Sequence, residues 1–237
     1  MYVPGGTAAY PSSVLMTAIP GKVAGVKELV MISPPGADGS MNPYTLVAAK
    51  LCGVKEIYKV GGAQGVAALA YGAGTLKKVD KIVGPGNIYV TIAKKIVYGD
   101  VDIDMLAGSS EILVIGDEGA KPQYLAADLL SQGEHDTLAS AIFVTASEAL
   151  ADAVAIKVER QLQVLSREAI ARKSLETNGA IIVTKNLEEA IEFANAYGPE
   201  HLELAIEKPY EVMGSITSAG AIFLGHYTPE PIGDYFA

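Results

Sequence analysis

The sequence predicts an α/β protein made of two Rossmann-like domains with mostly parallel sheets. Short β-branched runs alternate with amphipathic or Ala-rich helical stretches, an alternation typical of parallel sheets covered by helices. Half of the 237 residues are hydrophobic, which is enough for a sizeable buried core. Gly, Pro or Asn bounds most of the helical stretches and so marks the turns between elements.

Eight short runs are predicted as strands. They are Glu28 to Ile32, Glu56 to Val60, Lys81 to Val83, Glu111 to Ile115, Ala141 to Thr145, Ala180 to Thr184, His201 to Ala205 and Ala221 to Leu224. The helices predicted between them include Asn42 to Leu51, Gln64 to Ala70, Ile88 to Val97, Gln123 to Ser131, Glu148 to Leu162 and Leu187 to Tyr197. The last five residues follow two prolines, and no closing helix is predicted there.

The predicted domain boundary is the Gly/Ser segment Ala107-Gly108-Ser109-Ser110, because the strand and helix units on either side can each bury their own apolar faces. This gives a first domain of residues 1–107 and a second of residues 108–237. Ligands of open parallel sheets commonly bind at the carboxyl ends of the strands. We therefore expect a site in a cleft between the domains, where such ends gather.

Composition excludes several classes of function. Asp and Glu number 27 against 18 Lys and Arg, and no basic stripe interleaved with aromatic residues occurs, so no nucleic-acid partner is expected. No apolar run approaches the roughly 18 residues that span a bilayer, and no basic leader precedes an apolar block, so neither membrane insertion nor export is expected. The single cysteine, Cys52, excludes an internal disulfide and favours a cytoplasmic location.

One candidate metal-binding pair lies in Ser131-Gln132-Gly133-Glu134-His135-Asp136, at the end of a predicted helix. Gln132 and His135 are three residues apart and so are predicted to project from one helix face. An amide oxygen and an imidazole nitrogen at this spacing can bind one metal ion. The alternative, which spacing alone favours, is an ordinary polar helix end that faces water.

A second candidate lies in Tyr197-Gly198-Pro199-Glu200-His201-Leu202, where a Gly-Pro turn precedes a strand. Adjacent Glu200 and His201 suit two successive proton transfers, because both side chains can be tuned to titrate near neutral pH. The alternative is a strand-entry loop with solvated charges. The third histidine, His226, has no comparable partner in sequence and is interpreted as a surface loop residue.

Three glycine-containing turns follow predicted strands or open the chain: Tyr2-Val3-Pro4-Gly5-Gly6, Gly61-Gly62-Ala63-Gln64 and Gly84-Pro85-Gly86-Asn87. Such turns let backbone approach a phosphate, and helix N-termini favour anions. None matches G-x-G-x-x-G, so by themselves they indicate a nucleotide only weakly. Asp234, in a Gly-Asp-Tyr sequence, is interpreted on its own as a turn residue.

Eight strings taken in order resemble the histidinol dehydrogenase family. They are YVPGG, VGGAQGVAALAYG, DKIVGPGNIYV, IDMLAGSSE, DLLSQGEHD, YGPEHLEL, ITSAGAIFLG and TPEPIGDY, and they cover essentially the whole chain. The resemblance implies oxidation of L-histidinol through histidinaldehyde to L-histidine, with two NAD used in succession and one zinc ion per site. It also implies a small-molecule substrate and a homodimer.

The resemblance assigns roles residue by residue. The NAD contacts that it implies are Tyr2, Gln64 and Asn87. The substrate contacts that it implies are Ser110, Gln132, His135, His201 and Asp234, and the zinc ligands are Gln132, His135 and Asp234. It further implies that His201 takes the alcohol proton as hydride leaves and that Glu200 then activates water to attack the aldehyde. One site for both oxidations keeps the reactive aldehyde from escaping.

The chain departs from the family pattern in two ways. The usual Pro-Ala-Gly-Pro-Ser-Glu stretch reads Leu106-Ala107-Gly108-Ser109-Ser110-Glu111, without either proline. Family chains also extend further at both ends, and their C-terminal tail supplies a fourth zinc ligand and a substrate-binding Glu. Two alternatives therefore stay open: a relative acting on another alcohol, such as a sulfopropanediol dehydrogenase, or an inactive truncated α/β module.

Overall fold

The computed structural model describes residues 1–5 and 9–235, except for the side chains of residues 234 and 235. The chain forms two compact units, Met1–Gly108 and Ser109–Ala237, so that the division falls within the Gly/Ser segment. Every strand pair in the three sheets of the described residues is parallel, and within each unit helices separate successive strands. The predicted α/β class with parallel sheets is confirmed.

The first unit contains short strands and four helices among its described residues. Its elements are α1 (Pro11–Val23), β1 (Val30–Ile32), α2 (Pro43–Leu51), β2 (Glu56–Tyr58), α3 (Gly62–Tyr71), β3 (Lys81–Ile82), α4 (Ile88–Val97) and β4 (Asp102–Ile103). Helices α2 and α4 begin after Asn42 and Asn87, whose side chains accept backbone N–H groups of the first turn.

The N-terminal residues 1–3 link the two short sheets of this unit. Tyr2 forms a parallel bridge to Ile32 in β1, and the Tyr2 N–H donates to the Val83 carbonyl oxygen at 2.8 Å. The order across the unit is therefore β2, β1, residues 1–3, β3, β4. Gly84 must be glycine here, since its φ is +115° and a Cβ would lie 2.1 Å from the Tyr2 oxygen.

The second unit is built on one five-stranded sheet. Its elements are β5 (Glu111–Gly116), α5 (Pro122–Gly133), β6 (Ser140–Thr145), α6 (Glu148–Leu162), α7 (Glu168–Asn178), β7 (Ala180–Val183), α8 (Leu187–Tyr197), β8 (His201–Ala205), α9 (Pro209–Val212), a 3₁₀ turn (Met213–Ser215), β9 (Ala221–Leu224) and α10 (Pro231–Tyr235). The sheet order is β7, β6, β5, β8, β9, all parallel.

Both units have the same strand order. Counted along the chain within each unit it is 3-2-1-4-5, which agrees with the first five strands of a doubly wound dinucleotide-binding sheet. In the second unit the central strand β5 is buried from Ile112 to Ile115 and packs helices on both faces. This order favours the interpretation of both units as Rossmann-like.

The structure differs from the sequence prediction in several elements. Helices α1 and α7 and strand β4 were not predicted. Helix α1 contains Pro20 and lacks a side-chain cap, and α7 buries little more than Ala171 and Ser174. A closing segment without a helix was predicted, whereas α10 begins at Pro231, where proline is tolerated in a first turn. Within the described residues no helix combines the length and apolarity needed to cross a membrane.

Candidate active site

The three glycine-containing turns of the first unit lie at one edge of its strands. Gly61 and Gly62 follow β2, Gly84 follows β3, and residues 1–3 lie between β1 and β3. The Gly62 N–H donates to the Tyr2 hydroxyl at 3.0 Å, which ties the first two turns together. Helices α3 and α4 both begin here, so two helix N-termini point toward the carboxyl edge of these strands.

The predicted NAD contacts differ in exposure. Tyr2 is buried at 3% exposure and is held in the sheet, with its hydroxyl used by Gly62. Gln64 and Asn87 are exposed on the first turns of α3 and α4. The Asn87 Oδ1 accepts the N–H groups of Tyr89 and Val90, so capping uses the oxygen of this amide and not its nitrogen.

A buried ion pair supports the turn after β3. Lys94 on α4 has a side chain only 4% exposed and contacts Asp104, and its ammonium group also donates to the Gly84 carbonyl oxygen at 3.1 Å. Partial burial opposes ionisation of Asp104, but Lys94 and the N–H groups of Gly84 and Met105 hold its pKa below the usual value. The negative charge beneath this turn is therefore neutralised.

Glu200 and His201 lie at the opposite edge in the second unit. His201 is the first residue of β8, and its strand neighbour on β5 is Ile112, which follows Ser110 and Glu111. The Glu111 N–H donates to Glu200 Oε2 at 3.2 Å. Ser110, Glu200 and His201 are thus gathered at the amino edge of the sheet.

The His201 ring has a defined orientation. Its Nδ1 lies 3.2 Å from the Glu111 carbonyl oxygen, and because a carbonyl can only accept, Nδ1 must carry the proton. The lone pair of a neutral ring is then on Nε2, which lies 3.8 Å from Glu230 Oε1. Glu200 Oε2 lies 3.9 Å from Nδ1. His201 is 20% exposed and can accept a proton at Nε2.

Glu200 is more accessible than its neighbour. Its side chain is 45% exposed, and the Glu111 N–H fixes one of its oxygens. The structure therefore provides one half-exposed carboxylate able to meet water and one partly buried imidazole, side by side. Such a pair can serve two different proton transfers.

The helix-face prediction for Gln132 and His135 is wrong. Helix α5 ends at Gly133, and His135 lies beyond it in a turn closed by its own N–H to the Gln132 carbonyl oxygen. Glu134 occupies the C-cap position, so His135 lies past the last residue of the helix. Gln132 is 1% exposed and His135 is exposed, so the pair does not share a helix face.

Gln132 nevertheless has a property of a ligand-binding side chain. Among the described residues its Oε1 is the buried side-chain atom that lacks a hydrogen-bond partner. An unsatisfied buried acceptor costs roughly 1–3 kcal/mol unless a donor or a cation meets it. The end of α5 lies on the amino side of the sheet, as do Ser110 and His201, because the helix runs antiparallel to the strands it joins.

The third predicted zinc ligand cannot be placed. Asp234 falls within α10, but its side chain lies outside the described residues. No group of three or more His, Cys, Asp or Glu side chains suited to a metal ion occurs in the part of the chain that the structure describes. Gln132 belongs to none of those residue types, so the predicted ligand set of amide, imidazole and carboxylate stays a prediction.

The expectation that ligand-binding residues gather at carboxyl ends is wrong for the second unit. A cavity of about 420 Å³ does lie at its carboxyl edge, among Asp117, Ser147 and Lys208, but none of the predicted site residues lines it. The reason is local: Glu200 and His201 precede β8, and Ser110 precedes β5. Residues before parallel strands necessarily lie at the amino edge.

Comparison with known proteins agrees with the whole-chain resemblance. The sequence profile named Histidinol dehydrogenase matches residues 1–237. The chain belongs to the histidinol dehydrogenase family. Histidinol dehydrogenases from Heliobacterium mobile and Streptococcus mutans are 64% and 63% identical to it over 236 and 237 residues. These matches cover all of this chain and 55% of each relative, so the chain spans about half the length of the curated relatives it matches.

Solved structures agree with this membership. The crystal structure of histidinol dehydrogenase from Elizabethkingia anophelis matches with a TM-score of 0.93 and 46% identity, covering 99% of this chain and 54% of that one. A propionaldehyde dehydrogenase from Clostridium phytofermentans matches with a TM-score of 0.61 at 14% identity, covering 100% of this chain and 68% of that one. The second match concerns the fold alone.

His226 lies in a turn after β9, in agreement with its interpretation as a loop residue, but its side chain is partly buried and has a partner. Its Nε2 lies 2.8 Å from Asp117 Oδ1, and its side chain is 18% exposed. Asp117 also accepts the N–H groups of Gly119 and Glu207. Partial burial opposes ionisation, but the Glu207 N–H and His226 hold the pKa of Asp117 below its usual value. The pair joins the ends of β5, β8 and β9.

Sequence reasoning also missed a cluster of three acids in the second unit, of which Glu203 and Glu230 are buried. The three are Asp128 on α5, Glu203 on β8 and Glu230 before α10. Glu203 could have been found, because an acid two residues after His201 falls on the same face of a strand that is otherwise apolar. Glu230 stands between Pro229 and Pro231 and carries no such signal.

Proposed function

We propose that this chain carries the dehydrogenase site for oxidation of L-histidinol, through histidinaldehyde, to L-histidine. The observation that carries the proposal is the pair Glu200 and His201, both fixed by the Glu111 backbone at the amino edge of the second unit. Family membership over the whole chain supports the substrate and the reaction. The homodimer and the cytoplasmic location implied by the resemblance belong to the same proposal.

His201 is proposed as the base for the alcohol step. With its Nδ1 proton directed to the Glu111 carbonyl, its Nε2 takes the hydroxyl proton of the substrate as the adjacent carbon loses hydride. Glu200, half-exposed beside it, is proposed to take a proton from water during hydration of the aldehyde. Ser110 is proposed to contact the substrate at the same edge.

Gln132 fits a role as a ligand to zinc. Its buried Oε1 has no partner among the described residues, and a divalent cation would satisfy it. With His135 and Asp234 it would supply amide, imidazole and carboxylate donors, a set suited to zinc. Bound there, zinc would hold the substrate by its imidazole and amino group and so orient it.

NAD is proposed to bind at the carboxyl edge of the first unit, against Tyr2, Gln64 and Asn87. The helix N-termini of α3 and α4 suit its phosphates, and the Lys94–Asp104 pair removes net negative charge beneath the turn after β3. Bound NAD supplies the hydride acceptor. The three residues hold and orient it, with Gln64 and Asn87 exposed to reach it.

The test is stoichiometry in the protein expressed from its complete reading frame. We expect two NADH formed per histidinol consumed, with histidine as the product and little free aldehyde. Sulfopropanediol is the competing substrate and is expected to be a poor one. Preferential oxidation of sulfopropanediol would replace the substrate assignment, and oxidation of neither compound would favour the non-catalytic module.

A further inference from the structure

Glu230 is a buried acid that faces the Nε2 atom of His201. Its side chain is 9% exposed, and its Oε1 lies 3.8 Å from Nε2. A carboxylate is rarely buried unless a cation or several hydrogen bonds compensate for lost hydration. This buried acid lies next to the His201 ring atom that can accept a proton.

The surroundings fix Glu230 firmly. Its backbone N–H donates to Glu203 Oε1 at 2.8 Å, and Glu203 in turn is hydrogen-bonded to Asp128 on α5. Burial raises the pKa of Glu203 to about 9 and that of Asp128 to about 6, so this pair retains a proton at neutral pH. Glu203 is thus a neutral acceptor for the Glu230 backbone and adds no charge of its own.

Among the described residues, two acids and one aromatic ring lie near the His201 imidazole. Glu230 faces Nε2, whereas Glu200 Oε2 lies 3.9 Å from Nδ1 and already accepts the Glu111 N–H. The Phe223 ring on β9 lies 6.1 Å from the imidazole and carries no charge. Among these neighbours, Glu230 is the charged group placed to interact with a proton newly bound at Nε2.

We propose that Glu230 is a positioning residue that orients the His201 ring and stabilises the imidazolium formed when Nε2 takes the proton of the substrate. The inference rests on the proposed function, in which the O–H bond breaks, an Nε2–H bond forms and the hydride passes to NAD. The new Nε2–H then points toward the Glu230 carboxylate, with Glu203 holding the Glu230 backbone in place. A carboxylate within about 4 Å favours the charged form of the ring.

The first test does not depend on turnover. The chain has three histidines, so the imidazole signals of His201 can be assigned in NMR spectra by comparison with His201→Asn. In Glu230→Gln we expect the titration midpoint of the His201 ring to fall by about one pH unit, because a neutral amide no longer favours its charged form. Glu192→Gln, on the exposed face of α8, is the matched control and should leave the midpoint in place.

The second test is kinetic and uses the protein expressed from its complete reading frame. In Glu230→Gln the acid limb of the kcat/KM profile for histidinol should move to lower pH by about one unit, while the plateau falls roughly 10- to 100-fold. Glu230→Asp, which keeps the charge, should restore the position of the limb. A variant that merely unfolds would lose activity at every pH and show a lowered Tm.

The two proposals fail in different ways. An unchanged His201 midpoint in folded Glu230→Gln overturns the inference even if the wild-type protein oxidises histidinol. If the wild-type protein does not oxidise histidinol, the proposed function is overturned, and the contact between Glu230 and His201 then has no role in catalysis. A shifted midpoint together with a shifted acid limb supports both.

Discussion

The two units share a strand order, yet their candidate residues lie at opposite edges of the strands. In the first unit Gln64 and Asn87 follow β2 and β3 and lie at the carboxyl edge. In the second unit Ser110, Glu200 and His201 precede β5 and β8 and lie at the amino edge. Topology alone therefore does not decide which edge of a doubly wound sheet carries the functional residues.

Turn chemistry explains the difference better than topology does. The carboxyl-edge turns after β2 and β3 contain glycines and amides, and the Asp104 charge beneath them is paired with Lys94. At the corresponding edge of the second unit, the turn after β5 carries Asp117 and Glu118, and Asp117 already uses the N–H groups of Gly119 and Glu207. An anionic ligand therefore suits the first edge better than the second.

The largest expected effect concerns the amino edge. His201→Asn should lower histidinol oxidation by about 10²- to 10⁴-fold, the range for loss of a general base. Glu200→Gln should mainly slow the aldehyde step, because its half-exposed carboxylate meets water rather than the alcohol. Rates measured separately with histidinol and histidinaldehyde distinguish the two steps. Equal losses of rate with both substrates for both variants would show that His201 and Glu200 do not act in separate steps.

The two units neutralise buried charge in different ways. Mutation of the residues involved is therefore expected to change stability in opposite directions. The first uses the Lys94–Asp104 ion pair, and the second uses a proton shared by Glu203 and Asp128. Lys94→Met leaves Asp104 uncompensated and should destabilise the first unit by roughly 3–5 kcal/mol. Glu203→Gln keeps the hydrogen-bonding shape without needing a proton and should stabilise the second.

The raised pKa of Glu203 determines how the stability of the second unit changes with pH. Its pKa is about 9 in the folded chain and near 4.5 otherwise, so the folded state binds the extra proton and wild-type stability falls as pH rises between these values. Glu203→Gln should equal the wild type near pH 4 and exceed it by a few kcal/mol near pH 9, since each pKa unit corresponds to about 1.4 kcal/mol. Chemical unfolding at the two pH values measures this. A difference independent of pH would contradict the shared proton.

Local sequence patterns were enough to predict most of the fold. Helices α4, α6 and α8 and strands β8 and β9 begin and end where periodicity and caps placed them, since their ends are marked by Asn, Ser, Gly or Pro. Strand β4 could not be predicted, because a strand of two residues cannot show a periodic pattern. The link that residues 1–3 make between the sheets could not be predicted either, because it depends on hydrogen bonds to residues far along the chain.

Less of the candidate site than of the fold could be predicted from the sequence. The adjacency of Glu200 and His201 is visible in the chain, and family resemblance supplied their roles. The ring tautomer set by Glu111 and the burial of Glu230 are tertiary facts, produced by β5 and the segment before α10 meeting β8. Spacing also misled for His135, because three residues correspond to one helix face only while the helix continues.

Zinc binding tests whether the amino edge includes the end of α5. Gln132→Ala removes the buried Oε1 and should weaken zinc affinity roughly 10- to 100-fold in the protein from the complete reading frame. Gln163→Ala, on the exposed end of α6, is the matched control and should bind zinc like the wild type. Calorimetric titration measures both. Unchanged zinc affinity in Gln132→Ala would show that Gln132 is not a zinc ligand.

The smallest expected effect concerns the carboxyl edge of the first unit, where two asparagines cap helices in the same way. Asn87 caps α4 and Asn42 caps α2, each through its side-chain oxygen. Replacing either by Ala should cost about 1 kcal/mol of stability. Only Asn87→Ala should also weaken NAD binding, by roughly 3- to 10-fold, the equivalent of one hydrogen bond of about 1 kcal/mol.

A charged substitution at the same two positions separates capping from binding. Asp caps a helix as well as Asn does, so Asn87→Asp and Asn42→Asp should both keep wild-type stability. Because the NAD phosphates are anionic, only Asn87→Asp should weaken NAD binding, and more so at low salt. Fluorescence titration with NADH at two ionic strengths measures this. Equal NADH affinity in the two Asp variants would remove Asn87 from the dinucleotide site and break the contrast between the two edges, since the turn after β3 would then have only a structural role.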